Sequence, residues 1–243
     1  MQAVVKAEYL KTFFDSVATL VAESRLYFGE NGIRAVAVDG ANVAMVIAEI
    51  PRESMEAYSV DVPKAVGVDF ERVNKILKAV GSESVEIAVR DSFTIRGKGM
   101  EYSIALIDPS ALRKEPNEPN LNFAVKVAMG ARDFRNAVLA VDKIARDVIL
   151  RADSNSFYVE GKGDTDRISI AFGAKDLLEF TPAEARSMYD LEYVKSFCRI
   201  SGAGDLLTLQ FSSKYPARFS FRLCADKVRV DYILAPKIET YEE

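Results

Sequence analysis

The chain has 243 residues, 49% hydrophobic and 28% charged, with a formal net charge of −4 and no histidine. Without histidine, histidine-based catalytic triads and zinc sites are excluded, because the commonest general base and metal ligand is missing. No apolar run approaches the roughly 18 residues of a membrane span. The N-terminus lacks the basic start and apolar stretch of a signal peptide, so a cytosolic chain is expected. The length allows a sizeable core, in one large domain or two of about 120 residues. Cys198 and Cys224 form no CxxC pair; buried reduced thiols are expected rather than a disulfide framework.

In chain order, the first predicted helix covers residues 8–22, where Leu10, Phe13, Phe14, Val17, Leu20 and Val21 recur at helical spacing. Strands are expected at 24–30 and 33–38, with Asn31-Gly32 as the hairpin signal between them, and at 43–49. After a turn-rich loop, Asp69 offers an N-cap and Gly81 a stop to a helix carrying Phe70, Val73, Ile76, Leu77 and Val80. Short strands follow at 85–90, 93–97 and 102–107.

The same order returns after a polar joint. A strand at 123–128 leads to a helix over 132–145 with Phe134, Ala137, Val138, Val141 and Ile144 on one side. Strands at 148–152, 157–160 and 167–172 precede a helix over 190–200, and strands at 206–212, 217–223 and 227–234 complete the chain. Corresponding helices lie about 120 residues apart while residue identity between halves is low, so the architecture repeats rather than the sequence. The joint, 113–120, has two prolines, two asparagines and four charges, and reads as a connector. The expected fold is α+β: two similar domains of antiparallel sheets with two helices each, at 1–112 and 121–243. Terminal strands of such a duplicated molecule are candidates for pairing with another copy.

An acidic chain argues mildly against nucleic acid, because phosphate binding is driven by lysine and arginine. The distribution of charge argues the other way. Arg72, Lys75 and Lys78 recur at i, i+3 and i+6 opposite the apolar stripe, against the single acid Glu71. The third helix carries Arg132, Arg135, Lys143 and Arg146 against Asp133, Asp142 and Asp147. Lys195 and Arg199 on the fourth are balanced by Asp190 and Glu192, and the first has Lys11 against Glu8 and Asp15. A basic helix face is commonly a plain solvated face. A modest positive field also suits loose, sequence-independent contact with phosphates. Signals for chemistry are weak. Arg96-Gly97-Lys98-Gly99 and Gly161-Lys162-Gly163 do not continue as phosphate loops, and Asp164 with Asp166 is too small a set for calcium or magnesium. No nucleophile stands beside an evident base, so no catalysis, cofactor or metal is expected.

Three segments carry a resemblance. Residues 67–78, Gly-Val-Asp-Phe-Glu-Arg-Val-Asn-Lys-Ile-Leu-Lys, closely resemble a signature of the proliferating cell nuclear antigen family. Residues 234–239, Leu-Ala-Pro-Lys-Ile-Glu, and 35–45, Ala-Val-Ala-Val-Asp-Gly-Ala-Asn-Val-Ala-Met, are similar to two further family motifs. The similarity between them covers essentially the whole chain, and the short, insert-free loops look archaeal. The resemblance implies a DNA sliding clamp, a nucleoid-associated cytoplasmic processivity factor without catalytic activity. Three subunits would form a ring with sheets outside and helices lining a hole that holds duplex DNA.

Lys11, Lys75, Lys78 and Arg199 fall where the family carries basic residues toward DNA. Arg72, Arg135, Lys143 and Lys195 are added from helix phase. Ala18, Leu139 and Glu192 stand where eukaryotic relatives have lysine or arginine. Partners implied are DNA polymerase, clamp loader, flap nuclease, ligase and other replication and repair proteins. Such partners carry a short peptide with a glutamine, an aliphatic residue and two aromatics. Its pocket maps to Val38, Val43, Met45, Pro216, Ile233 and Leu234, with backbone near Ala235, Pro236, Lys237 and Ile238 holding the glutamine. Asn42 replaces a family histidine. Subunit contact maps to edge strands bearing Tyr102, Ile104 and Leu106 on one side and Ile168 and Ile170 on the other. A homotrimer is the leading assembly; the alternative is a clamp-like subunit that closes a ring only with different chains.

Overall fold

A computed structural model of the chain describes residues 1–81 and 83–238. It divides into two compact units, Met1–Asn117 with Arg222–Val230, and Glu118–Phe221 with Asp231–Glu243. The division falls inside the 113–120 connector, but a simple split there does not anticipate that Arg222–Val230 belongs with the first unit. Its contacts explain the assignment. Cys224 Sγ lies 3.6 Å from Thr12 Oγ1, and Arg229 pairs with Glu53 at 3.8 Å.

The first unit runs β1 (Gln2–Lys6), α1 (Ala7–Ala18), β2 (Glu23–Gly29), β3 (Gly32–Val38), β4 (Ala44–Pro51), β5 (Ala57–Ser59), β6 (Lys64–Asp69), α2 (Phe70–Val80), β7 (Ser84–Val89), β8 (Ser92–Gly97) and β9 (Met100–Ala105). The second repeats the order with β10 (Val125–Gly130), α3 (Ala131–Val141), β11 (Asp147–Ala152), β12 (Ser156–Lys162), β13 (Arg167–Gly173), β14 (Glu179–Thr181), β15 (Ala185–Asp190), α4 (Leu191–Cys198), β16 (Leu206–Phe211), β17 (Ala217–Leu223) and β18 (Val228–Leu234). In the first unit one sheet has the order β5-β1-β7-β8-β9 and another runs β4-β3-β2-β6; in the second unit the orders are β14-β10-β16-β17-β18 and β13-β12-β11-β15. The fold is α+β, and each registered pairing between strands is antiparallel.

Period-two burial builds the sheets: β7 hides Val85, Ile87 and Val89 and turns Ser84, Glu86 and Ala88 outward. Each helix closes its own unit with one apolar stripe. Phe13 and Phe14 of α1 meet Phe70 of α2 at ring-centroid distances of 6.4 and 5.0 Å. In the second unit Phe197 of α4 stacks on Tyr232 at 4.1 Å and lies 5.7 Å from Phe219. Burying one such ring is worth about 2–3 kcal/mol, so these clusters fix how the helices lie on their sheets.

Several boundaries differ from the sequence expectation. Helix α1 ends at Ala18, where Thr19, Leu20 and Val21 form a turn onto the carbonyls of Asp15 and Val17 before β2 begins. The β2–β3 loop is Glu30-Asn31, with Gly29 opposite Gly32; Gly32 takes φ 129° as the first strand residue rather than serving as a turn centre. Helix α3 ends at Val141, with Asp142 as its C-cap. Strands β1, β5, β6, β14 and β15 were not expected. Of these, β6 contains Gly67, where a Cβ would come within 2.4 Å of the Ile107 carbonyl oxygen, so a residue that reads as a loop signal is a packing requirement.

Candidate nucleic-acid interface and docking surfaces

In the first unit, α2 is held at both ends. The Asp69 carboxylate accepts from the Arg72 N–H at 2.8 Å, and Gly81 ends the helix at φ 57°. Between these caps Val73, Leu77 and Val80 face the core, which leaves Arg72, Lys75 and Lys78 exposed. Helix α1 packs alongside: Asn74 Nδ2 donates to Asp15 Oδ1 at 2.7 Å. Burial raises the Asp15 pKa above 3.8, against the opposing pull of Lys78 and Lys11. Both lysines therefore act on one carboxylate, one from each helix. Among the described residues, Lys11, Arg72, Lys75 and Lys78 have no ion-pair partner within 4 Å, so their charge is available to an external anion.

The second unit places its basic residues differently. Lys195 Nζ lies 2.9 Å from Asp142 Oδ1 and 2.5 Å from Glu192 Oε1, so its charge is spent joining α4 to the end of α3. These two acids hold its pKa above the usual lysine range. Arg135 and Arg199 border a cavity of about 240 Å³ between the helices, together with Val138, Leu139, Asp142, Lys195 and Cys198. Burial pushes the Cys198 thiol up to about 12, only partly countered by Arg135. Lys143 and Arg146 lie past the end of α3, on the turn and the approach to β11, and not on a helix face. The set expected from helix phase is thus split: Arg72 joins the open face of α1 and α2, whereas Lys195 is internally neutralised.

The residues assigned to peptide docking fall in both units. In the first, the Asp39 carboxylate accepts from the N–H groups of Val43 and Ala44 at 2.8 and 3.0 Å and shapes the β3–β4 turn, with Asn42 at φ 58°. Val38 and Val43 remain half-buried beside this turn, and Met45 is nearly buried opposite Val38. Residues 113–117 of the connector form no regular element but are anchored. Arg113 donates to the Asp39 carbonyl at 3.0 Å and to Asn42 Oδ1, and Glu115 pairs with Arg34 at 2.6 Å. In the second unit Pro216 is half-buried, while Ile233 and Leu234 are buried. Leu234 follows Val230 and Tyr232 on the inward side of β18, so its side chain belongs to the core rather than to a pocket wall. Lys237 donates its N–H to the Met188 carbonyl at 2.8 Å and its Nζ to Asp147 at 2.6 Å, which leaves Ile238 90% exposed. Glu239, the last residue of the C-terminal motif, lies outside the described residues. The connector anchors were not legible from the sequence, where Arg113 and Glu115 are simply charges preceding Pro116.

Several strands end their sheets, and β9 and β13 are two of them; among the described residues neither has a strand on its outer side. In the first unit, residues 228–230 of β18 run beside β4 and cover it. β13 occupies the same place as β4 in the repeated order but has no such neighbour. Tyr102, Ile168 and Ile170 are half-buried along these edges, whereas Ile104 is 2% exposed and packs inward. Leu106 lies just past the end of β9. Next to β13, a groove of about 630 Å³ is lined by Asp133, Asn136, Ala137, Ile170, Phe172 and Asp176, among others. Among the described residues no group of three or more acidic or cysteine side chains is placed to hold a metal, Asp164 and Asp166 included. No described helix is long and apolar enough to cross a membrane.

Comparison with known proteins agrees with this geometry. Residues 2–108 match the model of the proliferating cell nuclear antigen N-terminal domain. The chain is 44% identical to the DNA polymerase sliding clamp of Archaeoglobus fulgidus, covering 99% of each chain. It is 37% identical to that of Methanothrix thermoacetophila, over 98% of this chain and 99% of the relative. A solved structure of the C-terminal region of FEN-1 bound to A. fulgidus PCNA superposes with a TM-score of 0.96 at 43% identity, covering 98% and 99% of the two chains. A duplicated α+β chain with basic helix faces and open sheet edges is a clamp subunit in form. The chain belongs to the proliferating cell nuclear antigen family of DNA polymerase sliding clamps.

Proposed function

We propose that three copies of this chain close into a ring around duplex DNA and tether a polymerase and other replication and repair proteins to it, without catalysing a reaction. The observation that carries this reading is the repeat itself: β18 lies beside β4, whereas their counterparts β9 and β13 end their sheets without a neighbour. Unpaired edges seek partners, and a head-to-tail contact closes a ring where its repeated rotation returns to the start, here after three copies. Lys11, Arg72, Lys75 and Lys78 then supply the phosphate contacts, with Arg135, Arg199 and Lys143 as secondary contributors. Contact of this kind positions the duplex without reading sequence. Retention would come from closure, so a polymerase held by the ring acts at high effective concentration.

Partner peptides with a glutamine, an aliphatic residue and two aromatics dock on Val38, Val43 and Met45 of the first unit and on Pro216, Ile233 and residues 235–238 of the second. The bound FEN-1 segment in the A. fulgidus neighbour supports this reading. The test combines mass and retention. Sedimentation should give about 81 kDa, three times the 26.9 kDa chain. Protein loaded on nicked circular DNA should remain far longer than on the same DNA linearised. Equal loss from both would overturn the ring, and a monomer that assembles only with other chains would replace it with a heteromeric one.

A further inference from the structure

We infer that Arg113 is a positioning latch that holds the connector in place as a preformed wall of the partner-peptide site; this rests on the peptide-docking reading above. The geometry begins on β3. Arg34, Val36 and Val38 share one face, directly opposite Glu49, Ile47 and Met45 of β4. This makes an apolar ladder with one charged rung at its end. The connector is pinned at both ends of that ladder. Glu115 meets Arg34 at 2.6 Å, and Arg34 Nε also reaches Glu49 at 3.2 Å. At the other end Arg113 bridges two acceptors of the β3–β4 turn, the Asp39 carbonyl and Asn42 Oδ1. The anchors, Arg34 on β3 and Asp39 just past its end, are separated by about 16–17 Å of extended chain, so a short stretch of chain with two long side chains spans Val36 and Val38.

The turn itself is built to receive Arg113. Asp39 is buried; its carboxylate accepts from the N–H groups of Val43 and Ala44, and its backbone carbonyl accepts from the Asn42 N–H at 3.2 Å and from the Arg113 guanidinium. Asn42 holds φ 58°, a conformation asparagine tolerates better than most side chains, and this aims its amide oxygen at Arg113. The planar guanidinium presents two N–H groups to these acceptors in one fixed geometry, whereas a lysine ammonium would have to meet both from a single point at the end of a flexible stem. Without these anchors, an irregular and proline-containing segment would lose entropy when a peptide ordered it. With them, that loss is already incurred in the free protein, so the latch strengthens binding by preorganisation.

The test uses a synthetic peptide of the A. fulgidus FEN-1 C-terminal segment as probe, with calorimetric affinity and amide hydrogen exchange over 112–117 as readouts. Arg113→Ala should weaken binding about 3- to 10-fold through lost preorganisation and speed exchange in the connector, with an unchanged Tm. Asn42→Gly keeps the positive φ and removes the acceptor. Combined with Arg113→Ala, it should add less than its separate effect, because both break one interaction. Arg113→Lys should fall between wild type and Arg113→Ala. If wild type binds and Arg113→Ala binds equally or more tightly, the latch inference is overturned while peptide docking stands. If wild type fails to bind the probe, the docking reading falls and the inference with it.

Discussion

Single side chains separate charge offered to DNA from charge used inside the fold. Lys75 and Lys78 are exposed without an ion-pair partner among the described residues, whereas Lys195 is held by Asp142 and Glu192. Neutralising a phosphate contact removes about one counterion from the salt dependence of binding. Lys75→Ala and Lys78→Ala should therefore each weaken duplex binding and flatten its salt slope. Lys195→Ala should leave the slope unchanged and instead lower the Tm. A loss from Lys195→Ala equal to that from Lys78→Ala would return Lys195 to the DNA face. Helix phase was legible in the sequence and anticipated the exposure of Lys75 and Lys78 on α2. It could not reveal that Asp142, at the end of a different helix, would close on Lys195.

The two cysteines make a second prediction at this scale. Cys198 is buried, and burial, which disfavours the thiolate, pushes its pKa well above the usual thiol range. Cys224 is half-buried at the β17–β18 turn. A thiol reagent at pH 8 should modify the folded protein at Cys224 alone and reach Cys198 only after denaturation, since the thiolate is the reacting species. Rapid modification of Cys198 in the native state would show that the α3–α4 seam opens readily.

At the scale of elements, α2 was the part most legible from sequence. Its cap residues, apolar spacing and stop all lay in one uninterrupted stretch, and Asp69 and Gly81 do what their chemistry implies. Loss of the cap in Asp69→Ala should cost about 1 kcal/mol. Forcing a Cβ into the left-handed position in Gly81→Ala should cost about 1–2 kcal/mol. Denaturant midpoints would read both. Strands β5 and β14, of three residues each, were invisible because so short a run carries no period. β6 was hidden by Gly67, whose role depends on Ile107, forty residues away. Such strands are specified by their neighbours rather than by their own pattern.

The seam between α1 and α2 couples stability to charge. The folded pKa of Asp15 lies above its free value of 3.8. Its contribution to stability is therefore complete below pH 3.8 and is lost as pH rises through the folded value. Asp15→Asn can keep an acceptor for Asn74 while removing the buried charge. The variant should lose this component of the pH dependence and be at least as stable as wild type at neutral pH. It should also bind duplex more tightly, because Lys11 and Lys78 no longer face an acid. Weaker DNA binding by Asp15→Asn would mean that Asp15 orients those lysines rather than screening them.

For the whole molecule, the proposed ring depends on two edges contributing more from backbone than from side chains. Ile104 points into its own unit, so along β9 the sheet edge, Tyr102 and the exposed Met100 are available to meet a partner. On β13, Ile168 and Ile170 alternate with Arg167, Ser169 and Ala171, and the groove beside Ile170 and Phe172 is bordered by Asp133 and Asp176. Placing an acid there adds repulsion to a surface already acidic and makes a desolvated charge part of any pairing. Ile170→Glu should leave each unit folded, because the side chain is only half-buried, yet shift the protein toward the 26.9 kDa monomer. In the same experiment, retention on nicked circles should fall to that on linear DNA. Affinity for the FEN-1 peptide should be unchanged, because its proposed contacts lie on other strands. A variant that stays trimeric and is retained on circles would exclude β13 as the joint. One that becomes monomeric but is still retained would separate DNA binding from closure and remove the basis of the clamp mechanism.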